Sequence, residues 1–479
     1  MATEDGYEDD TTRPEISDER REIRGLIQRL EVRSWLQGLQ TLGCLIVAWA
    51  VSYLPAHADL SHQGRHALFI LLLAAGLWVT EAVAAYGVAL LIVALEILLL
   101  GNLGRGDEDW ARFLAPWASP LLWLFLGGFV LGKAASKTGL DLWLARHVLK
   151  LSGTTPARAL LGLMVVGFTL SMFMSNTAAA AMLLAVATPI AASRPAGDPT
   201  KKALLLGVAI ATNLGGMGTL IGSPPNAIAA GALGGLAAFD FVRWMLVGLP
   251  PALVLFALSF AWLRLRFPAT DTTAAPLPSA TVADRLPAWR QLIVMLVFAA
   301  TVLLLMTGGL HGVPTPVVSF LPISMFAATG ILRARDIREL QWDVLLLLLG
   351  GLALGMAVTE TGLARWLVER LPVSDLGKLS LALVAAYATV TLSNFMSNTA
   401  AANILIPIGV ALGSGFESLV AVPIALAAST AMCLPISTPP NAIAFAGGEL
   451  ESRDFWGIGL LLVVIAPAVA VAWCALILG

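Results

Sequence analysis

Residues 171–182 read SMFMSNTAAAAM, and residues 393–404 read SNFMSNTAAANI. Each stretch lies inside a long apolar run, 159–192 or 379–413, and interrupts it with the same Ser-Asn-Thr triplet. Backbone that turns inside a bilayer leaves N–H and C=O groups unpaired, which is tolerated only where protein or a wet cavity satisfies them. Ser, Asn and Thr are favoured at helix N-termini, so the triplets indicate that each run turns and starts a new helix.

The lengths of these runs predict hairpins that do not cross the membrane. Basic residues flank the first run on both sides, so both of its ends are expected on the cytoplasmic face. Each arm beside Ser175-Asn176-Thr177 has about 15 residues, roughly 22 Å as a helix, against a hydrocarbon core of about 30 Å. We therefore predict a re-entrant hairpin with this triplet at its tip. A second hairpin, around Ser397-Asn398-Thr399, is predicted to enter from the opposite face and meet the first near mid-membrane.

The composition is that of a helical integral membrane protein. Of 479 residues, 58% are hydrophobic and 13% are charged, and the mean hydropathy is +0.83; soluble proteins carry roughly 25% charged residues. The apolar runs are long and do not alternate as barrel strands do. The net charge of −2 says nothing about nucleic acid, and no basic stripe or aromatic ladder in the sequence suggests such a partner, so none is expected. We predict about 11 transmembrane helices near 38–55, 66–83, 85–101, 118–136, 203–236, 241–263, 290–307, 315–333, 342–358, 421–447 and 455–478.

Lysine and arginine in the short loops predict the orientation. They are frequent in the loops that follow residues 132, 263 and 332, and rare in the loops at 102–117 and 308–314. Cytoplasmic loops carry this excess of basic residues. We expect the N-terminus in the cytoplasm, the C-terminus outside, and the protein in the cell inner (plasma) membrane.

Three sequence features recur in the same order. FLGGFVLGKAASKTGL (125–140) matches LLGGLALGMAVTETGL (348–363), the triplets follow, and PPNAIA occurs at 224–229 and 439–444. Four predicted spans separate the two Gly-Gly helices, so the second runs opposite to the first. This pattern predicts an inverted-topology repeat, an architecture of secondary transporters whose sites lie at the repeat interface.

The Pro-Pro pairs predict a break in the middle of two spans. Proline cannot donate to the carbonyl four residues back, and at a first turn it starts a new helix. Each half thus brings two helix N-termini to the membrane centre, where N–H groups favour an anion. The freed carbonyls and the hydroxyls can hold Na⁺. Neither apolar run nor either break contains Asp, Glu, Lys, Arg or His, which predicts a site built from dipoles.

The predicted organisation has five parts. They are a cytoplasmic tail (1–37), scaffold helices (38–117), a first inverted repeat (118–266, with hairpin 156–195 and broken helix 203–236), a cytoplasmic linker (267–289) and a second inverted repeat (290–479, with hairpin 379–413 and broken helix 421–447).

Together these motifs resemble the divalent anion/sodium symporter family, which transports dicarboxylates, citrate or sulfate. The resemblance covers most of the chain from about residue 66 and rests on the paired triplets, both Pro-Pro-Asn breaks and WVTEAVAAYGVALL (78–91). The last stretch is similar to the family's Thr-Glu-Ala signature, although Ala84 stands where that signature often has Pro. The family implies a homodimer in which a transport domain slides along a scaffold, an elevator motion.

The resemblance also implies the ligands of at least two co-transported Na⁺ ions and of a dianion. One sodium site would use Ser171, Ser175, Asn176 and the Gly222 carbonyl, and the other Ser393, the Met396 carbonyl, Asn398 and Ser437. The substrate would meet Asn176, Thr177, Ser223, Ser397, Asn398, Thr399, Thr438 and Pro439. The expected function is sodium-coupled symport of a C4-dicarboxylate such as succinate, malate or fumarate.

Several alternatives stay open at this stage. The same fold could exchange dicarboxylates without sodium, or carry sulfate or citrate. An enzyme is not expected, because the hairpin tips offer neither a nucleophile with a base nor metal ligands. Glu81 is expected to make a structural scaffold contact, with proton coupling as the alternative. Lys133 and Lys137 are expected to snorkel toward the surface or to gate the anion.

Overall fold

The computed structural model describes residues 35–54, 57, 59–101, 109–152, 155–195, 197–269, 288–370 and 376–479. Every regular element in these ranges is a helix, which confirms the predicted all-α class. Nearly all of the predicted tail (1–37) and most of the predicted linker (267–289) lie outside the described residues.

The helices vary widely in length. Within the described residues, seven are long and apolar enough to cross a membrane, and seven more apolar helices have 10–17 residues. The predicted count of about 11 crossings stays a prediction. The α-helices are Trp35–Ser52, His62–Thr80, Ala85–Leu100, Pro120–Thr138, Leu140–Ser152, Pro156–Ser171, Asn176–Ala192, Thr200–Gly215, Pro224–Ala232, Phe241–Arg266, Ala288–Met306, Gly308–His311, Thr315–Ala328, Ala334–Arg338, Trp342–Glu360, Leu363–Arg370, Lys378–Ser393, Asn398–Leu412, Glu417–Ala428, Pro439–Ala446 and Ser452–Leu478, with 3₁₀ turns at Asp109–Ala118 and Gly235–Ala237.

Both triplets lie at a turn between two helices. Pro156–Ser171 and Asn176–Ala192 form the first hairpin, and Lys378–Ser393 and Asn398–Leu412 form the second. In each hairpin the two arms pack against one another and against the helix that follows. Each triplet starts the returning arm, with its serine at the N-cap.

The two N-cap serines differ in what their side chains do. Ser397 Oγ accepts a hydrogen bond from the Ala400 N–H at 3.2 Å, as an N-cap does. Ser175 makes no such capping bond. Its Oγ accepts instead from Nε2 of Gln341, at 2.9 Å, on another element.

The two Pro-Pro segments are broken helices, as the sequence predicts. The first consists of Thr200–Gly215 and Pro224–Ala232, and the second of Glu417–Ala428 and Pro439–Ala446. Ser223 and Thr438 are the N-caps of the second halves. Proline alone would free only the carbonyls one turn upstream, yet the first helix already stops at Gly215. A Cβ at Gly215 would meet the Phe168 backbone, so the break begins where this helix packs against the first hairpin.

The Gly-Gly pair has the same use in both halves. A Cβ on Gly127 would meet Ser319, and one on Gly350 would meet Ala89, so the first glycine of each pair lets another helix approach closely. The second glycines turn to the breaks and hairpins: Gly128 faces Ile221 of the first break, and Gly351 faces Asn403 of the second hairpin. The two halves are therefore packed by the same rule, which agrees with a repeat.

The buried apolar side chains form two large clusters. The first joins residues of both hairpins, both broken helices, both Gly-Gly helices and the helices Phe241–Arg266 and Ser452–Leu478. The second joins His62–Thr80, Ala85–Leu100 and Trp342–Glu360 with one arm of the second hairpin. The division into scaffold and transport domains remains a prediction, because the second hairpin contributes to both clusters and the first cluster also includes residues of both Gly-Gly helices.

Lys133 and Lys137 are paired with carboxylates. Lys133 Nζ lies 2.7 Å from Glu339, and Lys137 Nζ lies 2.5 Å from Asp336. Hydrogen bonds from Lys133 and Arg335 hold the pKa of Glu339 below its usual value. These pairs fasten the first Gly-Gly helix to the segment that precedes the second one.

Candidate functional site

Both triplets and both breaks line one cavity of about 570 Å³. This volume lies within the range of small-molecule sites, roughly 300–1,000 Å³. Four helices begin at its wall, at Asn176, Pro224, Asn398 and Pro439. Helix N-termini present free N–H groups and a positive dipole end, so the wall favours an anion without a fixed positive charge.

The first predicted sodium site contains more hydrogen-bond acceptors than hydrogens to donate to them. Ser171 Oγ lies 2.5 Å from Asn176 Oδ1 and 2.6 Å from the Thr212 carbonyl oxygen. Both neighbours are acceptors, and one hydroxyl has only one hydrogen to donate. A cation among these oxygens would relieve the excess, because hard cations take oxygen ligands.

Gly216 leaves the space that such a cation needs. A Cβ at Gly216 would lie 2.7 Å from Asn176 Oδ1, 2.8 Å from Asn176 Nδ2 and 3.1 Å from the Gly222 carbonyl oxygen, so the Asn176 amide and this carbonyl approach one another beside the glycine. We call Ser171, Asn176, Thr212, Gly216 and Gly222 the first cradle. It unites three of the four predicted ligands and adds Thr212, while Ser175 is bonded to Gln341.

The second predicted sodium site contains buried oxygens that lack partners. Ser393 Oγ and Asn398 Oδ1 are buried, and neither has a hydrogen-bond partner among the described residues. An unsatisfied buried polar atom costs about 1–3 kcal/mol, so a ligand for the pair is expected. Met396 and Ser437 line the cavity beside Asn398, and Ser437 Oγ donates to the Leu434 carbonyl at 2.8 Å. We call Ser393, Met396, Asn398 and Ser437 the second cradle.

Comparison with known proteins shows the family to which this chain belongs. Residues 68–421 match the family model described as citrate transporter. The chain belongs to the citrate transporter family. Two curated relatives are named sodium-dependent dicarboxylate transporter SdcS. The protein from Staphylococcus saprophyticus is 32% identical over 85% of this chain and 85% of its own length, and the one from Staphylococcus aureus is 30% identical over 86% of each.

The resemblance to divalent anion/sodium symporters is thereby confirmed for this citrate transporter family member. Among solved structures, the crystal structure of the Alcanivorax borkumensis YdaH transporter, described as revealing an unusual topology, aligns with a TM-score of 0.53. It is 14% identical and covers 82% of this chain and 99% of its own, which supports the fold alone.

All eight predicted substrate residues of this citrate transporter family member line the cavity, but their side chains are not equally free. Ser397 caps its helix. Thr438 Oγ1 accepts from Asn213 Nδ2 at 3.0 Å, and Ser223 Oγ accepts from Ser429 at 3.3 Å. Thr177 and Thr399 line the cavity with no side-chain hydrogen bond to a described residue. Their hydroxyls are therefore the most available to a substrate carboxylate.

Sequence reasoning missed the asparagine of each Pro-Pro-Asn motif. Asn226 Nδ2 donates to the carbonyls of Gly216 (2.8 Å) and Thr219 (2.7 Å). Asn441 Nδ2 lies 3.2 Å from the Leu434 carbonyl and 3.4 Å from that of Met432. Each asparagine thus folds its own break back onto the helix that follows. The repeated PPNAIA motif is the signal that could have identified these asparagines, because both copies contain one and the prolines alone explain the helix starts.

We expect Asn226→Ala to destabilise the protein. The substitution leaves the buried Gly216 carbonyl without its donor, whereas the Thr219 carbonyl keeps the Gly222 N–H at 3.2 Å. The cost is about 1–3 kcal/mol, so the apparent melting temperature in detergent should fall. Asn398→Ala is the matched control, since Asn398 Oδ1 has no hydrogen-bond partner to lose among the residues that the structure describes. Equal melting temperatures for Asn226→Ala and the wild type would contradict the role given to this asparagine.

The cavity also has walls that the motifs did not predict. Phe125, Phe129 and Val344 of the Gly-Gly helices line it, together with Gln341 and Glu81. Gln341 precedes the second Gly-Gly helix and bonds to Ser175. For Glu81 the expected structural contact is not found, because its carboxylate makes no hydrogen bond or ion pair with any described residue.

Proposed function

We propose that this chain is a secondary active transporter of the inner membrane that carries a C4-dicarboxylate such as succinate, malate or fumarate together with Na⁺. It acts as a carrier and not as an enzyme. The observation that carries the proposal is the pair of oxygen cradles beside one cavity whose peptide dipoles favour an anion. The printed names of the relatives, which specify sodium dependence and dicarboxylates, support the same choice.

The two kinds of ligand assist each other in this arrangement. Sodium in the first cradle is held by Ser171, Asn176 and the Gly222 carbonyl, and sodium in the second by Ser393 and Asn398. Both ions lie next to the helix N-termini that receive the substrate carboxylates, with Thr177 and Thr399 as hydroxyl donors. A dianion and its cations neutralise one another in a low-dielectric site, so each makes binding of the other more favourable.

Movement follows from where the cavity lies. Its walls come from the hairpin tips and breaks, and also from Phe125 and Phe129 of the first Gly-Gly helix and from Glu81 at the end of helix His62–Thr80. We infer an elevator motion in which the hairpins and broken helices slide along the scaffold. A homodimer with cytoplasmic N-termini and external C-termini completes the proposal, supported by the distribution of basic residues in the loops.

Uptake of labelled succinate into proteoliposomes tests the function. We expect an inward sodium gradient to drive accumulation without any internal dicarboxylate. Choline in place of sodium is the control for ionic strength. Uptake that ignores sodium but requires internal dicarboxylate would show an exchanger instead. Stronger inhibition by sulfate or citrate than by malate would change the substrate class.

A further inference from the structure

Glu81 is the charged group of a cavity that is otherwise neutral. Among the described residues that line the cavity, it is the only ionisable one; the others are hydroxyl, amide, apolar, glycine or proline residues. Its side chain is an exposed carboxylate. A negative charge at this place is unexpected, because the anion that we propose to bind there is itself negative.

The backbone of Glu81 is also unusual. It is the C-cap of helix His62–Thr80, with φ 50° and ψ 25° in the left-handed region. In the described part of the chain no other non-glycine residue has a positive φ. Glycine is the favoured residue at such a C-cap, because a Cβ disfavours this conformation. The chain thus keeps a carboxylate where the fold alone favours glycine, and strained residues of this kind cluster at functional sites.

No structural contact accounts for the carboxylate. Glu81 makes no hydrogen bond or ion pair with any residue that the structure describes. Glu96, the other acid of the early helices, differs from Glu81 in exposure and in position: its side chain is fully buried and does not line the cavity. The strained backbone therefore does not serve a hydrogen bond or ion pair of this side chain with any described residue, and the contents of the cavity that Glu81 lines are the group on which it can act.

We propose that Glu81 makes binding of the dianion conditional on sodium. With empty cradles, the carboxylate raises the electrostatic cost of a dianion in the cavity and attracts cations. With both cradles occupied, the sodium charges offset it, and the dianion binds. Glu81 is a positioning charge rather than a ligand of the substrate, and its effect is to suppress transport of uncoupled substrate. This inference rests on the proposed sodium-coupled function.

The test measures succinate binding to the purified full-length protein by calorimetry, in sodium and in choline. The quantity of interest is the ratio of the Kd in choline to the Kd in sodium. We expect Glu81→Gln to lower this ratio at least about tenfold, a change of about 1.4 kcal/mol in coupling. Binding of sodium alone should weaken in the same variant. Glu81→Asp, which keeps the charge, should keep the wild-type ratio.

Glu81→Gly separates the charge from the backbone. Glycine removes the carboxylate and the strain together. We therefore expect Glu81→Gly to have the same Kd ratio as Glu81→Gln and a higher melting temperature. A wild-type ratio in Glu81→Gln, or loss of the ratio in Glu81→Asp, would overturn the inference while the wild type still shows sodium-dependent binding. A wild type that binds succinate equally in sodium and in choline would overturn the proposed function as well.

Discussion

Replacing Asn398 by alanine is expected to abolish sodium-dependent uptake and leave the protein folded. Asn398 Oδ1 and Ser393 Oγ are the two buried oxygens of the second cradle that have no partner among the described residues. Loss of one oxygen to a cation removes a charge-assisted contact of about 1.5–3 kcal/mol, which is roughly 10- to 100-fold in sodium affinity. The same residue begins the returning arm at the cavity wall, so substrate binding should weaken with it.

The measurement combines uptake with thermal unfolding. Labelled succinate uptake across a range of sodium concentrations gives the affinity, and the apparent melting temperature in detergent reports on the fold. Asn398→Ala should lose uptake and keep the wild-type melting temperature when both are measured in choline, whereas Asn226→Ala should lower the melting temperature in the same buffer. Asn176→Ala is expected to act on the first cradle as Asn398→Ala acts on the second. Wild-type uptake in both Asn176→Ala and Asn398→Ala would contradict the assignment of these two residues to the site.

The sequence predicts those parts of this site in which polar residues or prolines interrupt an apolar run. Ser175-Asn176-Thr177 and the prolines at 224 and 439 stand out because polar residues and prolines are costly inside long membrane helices. Their local effects, a turn and a new helix start, depend mainly on near neighbours in the chain. The helix starts at Asn176, Pro224, Asn398 and Pro439 therefore follow from sequence alone.

The rest depends on packing between distant segments. The first half of the first broken helix ends at Gly215, where an added Cβ would meet the backbone of Phe168, and this close approach is invisible in the local sequence. Gln341 lies 166 positions from its partner Ser175, and a single glutamine before an apolar run carries no motif. The sequence shows Glu81 and Glu96 alike as acids of the early helices, and only the position of Glu81 at the cavity separates the two.

Alanine at Gly216 is expected to close the first cradle while the helical conformation of this residue is kept. The φ of −58° and ψ of −23° are ordinary for alanine, so the backbone carries no strain. The new Cβ would lie 2.7 Å from Asn176 Oδ1, 2.8 Å from Asn176 Nδ2 and 3.1 Å from the Gly222 carbonyl oxygen. Such overpacking costs typically about 1–3 kcal/mol. Because the methyl group would lie beside the oxygens of the first cradle, we expect Gly216→Ala to weaken sodium binding there.

Sodium-induced stabilisation distinguishes a filled cradle from a damaged fold. A ligand that binds only the folded state raises the melting temperature with its concentration. Wild type should show this rise in sodium against choline, and Gly216→Ala should lose the part due to the first cradle, together with sodium-driven uptake. Gly355→Ala is the matched control, because the nearest atom to its Cβ, from Pro407, is 4.0 Å away. If Gly216→Ala kept the full sodium-dependent rise, the oxygens around Gly216 would not be a cation site, and the charge balance proposed for the cavity would need another source.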